Sequence, residues 1–95
     1  RVRRAKQALW QWCRHNRHRP LKEQYQQLCQ KLHGHYQYYS IRGNYRALES
    51  VFACVRKAWR YWLSRRSRTS YIPWDKFERL LEVLPLPRPR IIHQV

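Results

Sequence analysis

The apolar residues of this chain recur at helical spacing along its whole length, and this periodicity constrains the fold more than any other feature. Residues 21–39 show it best, because their apolar side chains project onto a stripe about 80° wide at roughly 100° per residue. The residues of this stripe are Leu21, Tyr25, Leu28, Leu32, Tyr36 and Tyr39. Nowhere do apolar and polar residues alternate as in a strand. The sequence therefore predicts an all-α fold.

Three further segments show the same spacing. The first begins near Val2 and ends in a basic run before Pro20, which fits the first turn of the next helix. Residues 40–43 are expected to form a connector, and Asn44 is a good N-cap for a third helix that runs to about Arg66. A short fourth helix is expected at about residues 75–84. The inward residues are predicted to be Val2, Ala5, Leu9, Trp12 and Cys13 in the first helix, Leu48, Phe52, Val55, Trp59, Trp62 and Leu63 in the third, and Phe77, Leu80, Leu81 and Leu84 in the fourth.

Two parts of the chain are distinguished by composition. Residues 1–84 are expected to form one small bundle of about four helices, and residues 85–95 an extended, proline-rich C-terminal tail, because its prolines are incompatible with a helix. A chain of 95 residues is expected to have a modest core with no enclosed active-site cavity. Its first residue is arginine rather than methionine, so we expect it to be a piece of a longer protein.

Net charge indicates the kind of partner. The chain has 21 Lys and Arg against 5 Asp and Glu, a formal charge of +16. Most of the basic residues are arginines, whose planar guanidinium suits bidentate phosphate contacts and stacking. A polyanion would relieve the self-repulsion and gain affinity from counterion release. The composition therefore favours a nucleic-acid partner over a merely soluble basic surface.

Several other function classes are disfavoured. One Asp and four scattered Glu do not form the carboxylate cluster of two-metal phosphoryl chemistry, and no Cys–His pair is brought together, so no catalytic residue is predicted. The Cys and His residues lack the paired spacing of zinc sites, so no metal or cofactor is expected. Three widely spaced cysteines indicate a reducing, cytoplasmic environment. No apolar run approaches the roughly 18 residues of a membrane span, so no membrane partner is expected.

The candidate RNA-binding residues lie mostly at helix ends and breaks, where free backbone N–H groups can also bind phosphate. Stacking aromatics between them are more typical of RNA recognition than of B-DNA. Gly34 has two open interpretations: a close helix–helix crossing, or a notch between Lys31 and Tyr38 that receives RNA backbone. The full candidate set is Arg14, Arg17, Arg19, Lys22, Lys31, Gly34, His35, Tyr38, Arg42, Asn44, Tyr45, Arg46, Arg60, Arg65, Arg66 and Arg68.

Several segments also resemble one family. They are residues 33–39 (HGHYQYY) with Gly43 and Asn44, residues 59–67 (WRYWLSRRS), residues 74–77 (WDKF) and the proline-rich residues 85–90 with His93. Together with residues 12–21, these segments resemble the maturase-specific region, also called the thumb or X domain, of group II intron-encoded reverse transcriptases. The resemblance covers nearly the whole chain in the family's order. Ser40 departs from it, because the family usually has glycine there.

The resemblance implies a domain that follows the fingers and palm of a polymerase, which this chain does not contain. Such a domain binds structured intron RNA, helps it fold for splicing, and guides the template–primer duplex in reverse transcription. The expected partners are therefore group II intron RNA, an RNA–DNA or DNA duplex, and the reverse transcriptase domain of the parent protein. A bacterial-type location in the nucleoid or in a ribonucleoprotein is expected within the cytoplasm.

Our hypothesis is an RNA-binding helical domain without covalent chemistry of its own. Two alternatives remain: a general basic module that binds DNA or RNA, and a purely structural thumb whose charge serves only the primer–template duplex. Interfacial membrane binding is a third possibility on grounds of charge and tryptophan content, but the helices have the pattern of ordinary core-forming amphipaths.

Overall fold

The described part of the chain contains four α-helices. The computed structural model describes residues 2–41 and 45–89, without the side chains of residues 40 and 41. The helices are α1 (Val2–His15), α2 (Leu21–Ile41), α3 (Tyr45–Leu63) and α4 (Trp74–Val83). No strand occurs in the described ranges. The predicted all-α bundle of four helices is confirmed.

Two helix boundaries differ from the sequence prediction. Helix α2 includes residues 40 and 41, which were expected in the connector, and α3 ends at Leu63 instead of near Arg66. After Leu63 the backbone hydrogen bonds join residues that are three apart in sequence. Arg65 N–H donates to the Trp62 carbonyl at 3.1 Å, and Arg66 N–H donates to the Leu63 carbonyl at 3.4 Å. This tightening ends a helix. The predicted N-cap Asn44 lies outside the described residues.

Helix α3 lies at the centre and packs against both α1 and α2. Helix α1 runs in the same direction as α3, because Lys6 Nζ donates to Ser50 Oγ at 2.7 Å and the Trp10 ring packs on Tyr61 farther along both helices. Helix α2 runs in the opposite direction, since Gln24 near its start bonds Trp59 near the end of α3. The end of α1, the start of α2 and the end of α3 therefore lie together.

The core follows the predicted stripes. Trp59, near the end of α3, is fully buried, and Phe77 of α4 packs its ring edge against it at 5.8 Å between centroids. Predicted inward residues that are buried are Ala5, Leu9, Cys13, Leu28, Leu32, Tyr39, Leu48, Val55, Trp59, Leu63 and Phe77. The others pack partly buried against this core.

Gln24 is a polar residue that is buried in the core, with only 1% of its surface exposed. Its Oε1 accepts a hydrogen bond from Trp59 Nε1 at 3.1 Å. Its Nε2 donates to the carbonyls of Arg19 at 2.8 Å and Arg17 at 3.3 Å. The amide thus connects the loop between α1 and α2 to the last part of α3. The sequence prediction did not identify it.

Helix α4 differs from the rest of the molecule in charge. It carries three of the five acidic residues of the chain, Asp75, Glu78 and Glu82, beside two basic residues. Glu78 forms an ion pair with Arg56 of α3. Helix α4 therefore supplies a nearly charge-balanced flank to an otherwise strongly basic molecule.

Residues 85–89 form no helix and lie against α2. The Tyr25 hydroxyl donates to the Pro85 carbonyl at 2.8 Å, and the Tyr36 hydroxyl donates to the Pro87 carbonyl at 2.7 Å. Leu86 between them is 7% exposed and belongs to the core. The remainder of the predicted tail, residues 90–95, lies outside the described residues.

Candidate nucleic-acid interface

Because of the helix directions, half of the predicted RNA-binding residues lie at one end of the bundle. We call this region the basic end. It comprises the last turn of α1, the loop to α2, the first turn of α2, the last turn of α3 and the loop that follows. Its predicted residues are Arg14, Arg17, Arg19, Lys22, Arg60, Arg65, Arg66 and Arg68. All but Arg17 and Arg60 are exposed.

Trp62 organises one side of the basic end. The guanidinium carbons of Arg14 and Arg17 lie 5.7 and 5.6 Å from the centre of its ring. Tyr61 packs edge-on against the same ring at 4.8 Å, and Trp10 does so at 5.9 Å. A cation–π contact contributes about 0.5–1 kcal/mol at an exposed site. Two arginines from outside α3 are thereby oriented on an aromatic surface.

Arg17 is held more firmly than its neighbours. Its Nη1 donates to the Arg14 carbonyl at 2.7 Å, and its own carbonyl accepts from Gln24. Its buried Nε and the Trp62 Nε1 have no hydrogen-bond partner within the described part of the chain. Because hydrogen bonds fix both backbone and side chain, little ordering of Arg17 is required when an anion binds.

A second group of contacts surrounds Arg60 and Arg65. Arg60 Nη1 donates to the Ile72 carbonyl at 2.9 Å, and its guanidinium carbon lies 4.5 Å from the centre of the Trp74 ring. The Arg65 guanidinium carbon lies 4.3 Å from the centre of the Tyr61 ring. Each guanidinium therefore uses one face for stacking, and its N–H edge remains able to donate in the plane.

Hydrogen bonds of its serine residues hold the basic loop after α3 against the end of the helix. Ser70 Oγ donates to the carbonyls of Ser64 and Ser67 at 3.2 and 2.9 Å and accepts from the Ser67 N–H at 2.8 Å. Ser64 Oγ accepts from the Ile72 N–H at 2.9 Å. These bonds give the exposed Arg66 and Arg68 a defined backbone, although the sequence indicated only a polar break.

The second half of α2 presents a different surface. Gly34 is exposed, and a Cβ built there would meet nothing within 4 Å. A close helix crossing at Gly34 is therefore not observed among the described residues, and the notch is open. Lys31 lies over the Trp12 ring at 5.4 Å, and Tyr38 is 52% exposed with its ring against Tyr39. The predicted RNA-facing side of α2 is accessible.

His35 faces partly inward on α2, with its ring stacked 6.3 Å from Tyr39. Burial, and then the positive charge of Lys31, lowers the pKa of His35 below its usual value of 6.5. The imidazole is therefore neutral at pH 7. It can accept or donate a hydrogen bond there, but it supplies no positive charge to the surface.

The remaining predicted residues do not belong to the basic end. Arg46 is exposed in the first turn of α3, and at about 1.5 Å per residue it lies roughly 21 Å along the helix from Arg60. Tyr45 is partly buried and packs against the core. Arg42 and Asn44 lie outside the described residues. The candidate residues therefore divide between two separate surfaces.

No group of three or more His, Cys, Asp or Glu suited to a metal ion occurs in residues 2–41 and 45–89. Cys13, which the sequence places near His15 and His18, is fully buried. Burial, with a further contribution from Cys54, raises its pKa to about 12. Cys13 is therefore a thiol of the core at neutral pH.

Sequence reasoning missed three residues of the basic end. Tyr61 and Tyr71 were not selected, and Trp62 was assigned only to the core. Tyr61 lies in the last turn of α3 and Arg65 in the turn that follows, and their spacing of four residues is a signal that could have identified their contact. The stacking of Arg14 and Arg17 on Trp62 joins residues far apart in sequence, so no local pattern reveals it.

None of the helices within the described ranges has the length and apolarity required to cross a membrane. Comparison of the chain with models of protein families, with curated proteins and with solved structures finds no match.

Proposed function

We propose that this chain is an RNA-binding domain of the maturase type, which binds and stabilises structured group II intron RNA and carries out no covalent chemistry itself. In the parent protein it would assist reverse transcription beside the polymerase domain, within a cytoplasmic ribonucleoprotein. The observation that carries the proposal is the basic end, where eight predicted basic residues from three helices and two loops converge.

The basic end supports phosphate binding because several of its arginines are oriented in advance. Arg14 and Arg17 stack on Trp62, and Arg65 stacks on Tyr61. An arginine that is already stacked loses less side-chain entropy when its N–H edge binds a phosphate. The protein is thus suited to a folded RNA backbone whose phosphates approach from more than one strand.

The open surface of α2 supports the same proposal. Gly34 exposes bare helix backbone between Lys31 and the half-exposed Tyr38. An RNA backbone can approach more closely there than over a side chain, while Lys31 supplies charge and Tyr38 an aromatic face. The basic end and the second half of α2 are separate surfaces of a molecule that measures 50 Å in its longest dimension. We therefore expect them to contact different parts of one structured RNA.

Salt dependence of binding to folded group II intron RNA tests the proposal. Contacts with about six phosphates predict a slope of about −4 to −5 for log affinity against log salt. Replacing the exposed Arg19 and Arg66 by Gln should make this slope less steep by about 1.4–1.8, at about 0.7–0.9 per phosphate contact. The matched control replaces Arg3 and Arg4 by Gln, which removes the same charge from the opposite end of α1.

The control should change the slope by less than half as much. A slope near zero, or equal effects of the two double variants, would refute binding through the basic end. Competition between duplex DNA and the intron RNA at the same salt distinguishes the proposed domain from a general nucleic-acid-binding module. A general module would show no preference for the intron RNA. In the parent polymerase, charge reversal at Arg65 and Arg66 that impairs DNA synthesis but leaves splicing intact would indicate a structural thumb instead.

A further inference from the structure

Within the basic end lies a cleft of about 270 Å³ lined by Arg60, Tyr61, Ser64, Arg65 and Tyr71. We propose that this cleft binds one unpaired nucleotide of an RNA chain, with its base on Tyr71 and its phosphate on Arg65. This inference rests on the proposed RNA-binding function and adds a specific preference for RNA with an extruded nucleotide.

The size of the cleft limits the ligand. Pockets for drug-sized molecules begin at about 300 Å³, so this cleft accommodates a group the size of a single nucleotide. A duplex could contact its rim only. Because an unpaired nucleotide can leave the helical stack at low cost, a bulge or loop in folded RNA is the natural source of the ligand.

Tyr71 provides the stacking surface. It is 67% exposed, although large aromatic side chains usually bury most of their area. The backbone on both sides of it is fixed, because Ser70 Oγ donates to the Ser64 carbonyl and the Ile72 N–H donates to Ser64 Oγ. The exposed ring is therefore attached to a rigid backbone.

The two arginines provide the phosphate side. Arg65 is exposed and stacked on Tyr61, so its N–H edge is free to reach an anion in the cleft. Arg60 is anchored by the Ile72 carbonyl and Trp74, and its buried Nε has no partner in the described part of the chain. Arg60 thus contributes fixed positive charge to the cleft wall, while Arg65 makes the direct contact.

Two RNA hairpins test the inference, one fully paired and one with a single bulged 2-aminopurine in the same stem. The full chain should bind the bulged hairpin more tightly, and the 2-aminopurine fluorescence should be quenched on binding. Tyr71→Ala should weaken binding of the bulged hairpin by about fivefold to 140-fold, the effect of losing one base stack. Tyr71→Phe, which keeps the aromatic face, should retain the preference and the quenching.

The matched control is Tyr38→Ala, which removes an exposed tyrosine from α2 and should weaken both hairpins to the same extent. Equal affinity of the wild-type chain for both hairpins would refute the nucleotide site while leaving the proposed RNA binding intact. Failure to bind either hairpin would also overturn the nucleotide site, whereas the proposed binding of intron RNA is decided by the salt titration described above. If free AMP displaces the bulged hairpin at micromolar concentration, the cleft is a site for free nucleotides and the assignment to RNA is wrong.

Discussion

Replacement of Gln24 by Leu should destabilise the protein by about 1.5–4 kcal/mol. The largest contribution comes from Trp59, which is 0% exposed and donates its Nε1–H to Gln24. Leaving that donor buried and unpaired costs about 1–3 kcal/mol. The carbonyls of Arg17 and Arg19 also lose their bonds to Gln24. Water can replace these bonds, because both residues lie in a surface loop, so we assign about 0.5–1 kcal/mol to them.

Urea unfolding followed by circular dichroism measures this change. The matched control is Gln27→Leu, on the exposed face of the same helix, which should change the stability by less than about 0.5 kcal/mol. A double-mutant cycle with Trp59→Phe isolates the hydrogen bond, because phenylalanine removes the donor and should reduce the cost of Gln24→Leu. If Gln24→Leu is neutral or stabilising in the presence of Trp59, the proposed role of this amide is wrong.

Two further predictions concern α2 and the segment that covers it. Because the pKa of His35 is lowered in the folded protein, the unfolded chain binds the proton more readily, and the stability of the fold should decrease as pH falls below about 6.5. His35→Gln should remove part of this decrease, as measured by urea unfolding at several pH values. Leu86→Ala should lower the free energy of unfolding by about 2–4 kcal/mol in the same assay, because Leu86 fills part of the core. Tyr36→Phe should lower it by about 1 kcal/mol, because the Tyr36 hydroxyl donates to the Pro87 carbonyl. Val83→Ala, at a side chain 77% exposed, should have no comparable effect, and an equal cost at Val83 would contradict packing of residues 85–89.

The repeat of apolar residues was sufficient to predict the four helices and most of the core. Leu28 and Leu32, for example, are fully buried as their spacing indicated. Gln24 was missed because it is polar, although it lies three residues after Leu21 and four before Leu28 on the same face. Its burial depends on the Trp59 indole, a partner 35 residues away that no local pattern identifies.

The candidate interface could be predicted in composition but not in arrangement. The basic residues near positions 14–19 and 65–68 were evident from the sequence, yet their convergence depends on α1 and α3 running in the same direction. The contact of Arg14 and Arg17 with Trp62 follows from that packing. Tyr71 was overlooked because exposure of an aromatic residue in a short loop is decided by tertiary structure and not by periodicity.

The charge-balanced flank formed by α4 has a consequence for how the domain meets a polyanion. With Asp75, Glu78 and Glu82 on one side and the excess of arginine elsewhere, the molecule has an electric dipole. If the domain binds RNA as proposed, the field of the RNA exerts a torque on this dipole and turns α4 away before any contact forms. Productive encounters would then be selected during diffusion, and the α4 flank would face outward in the complex.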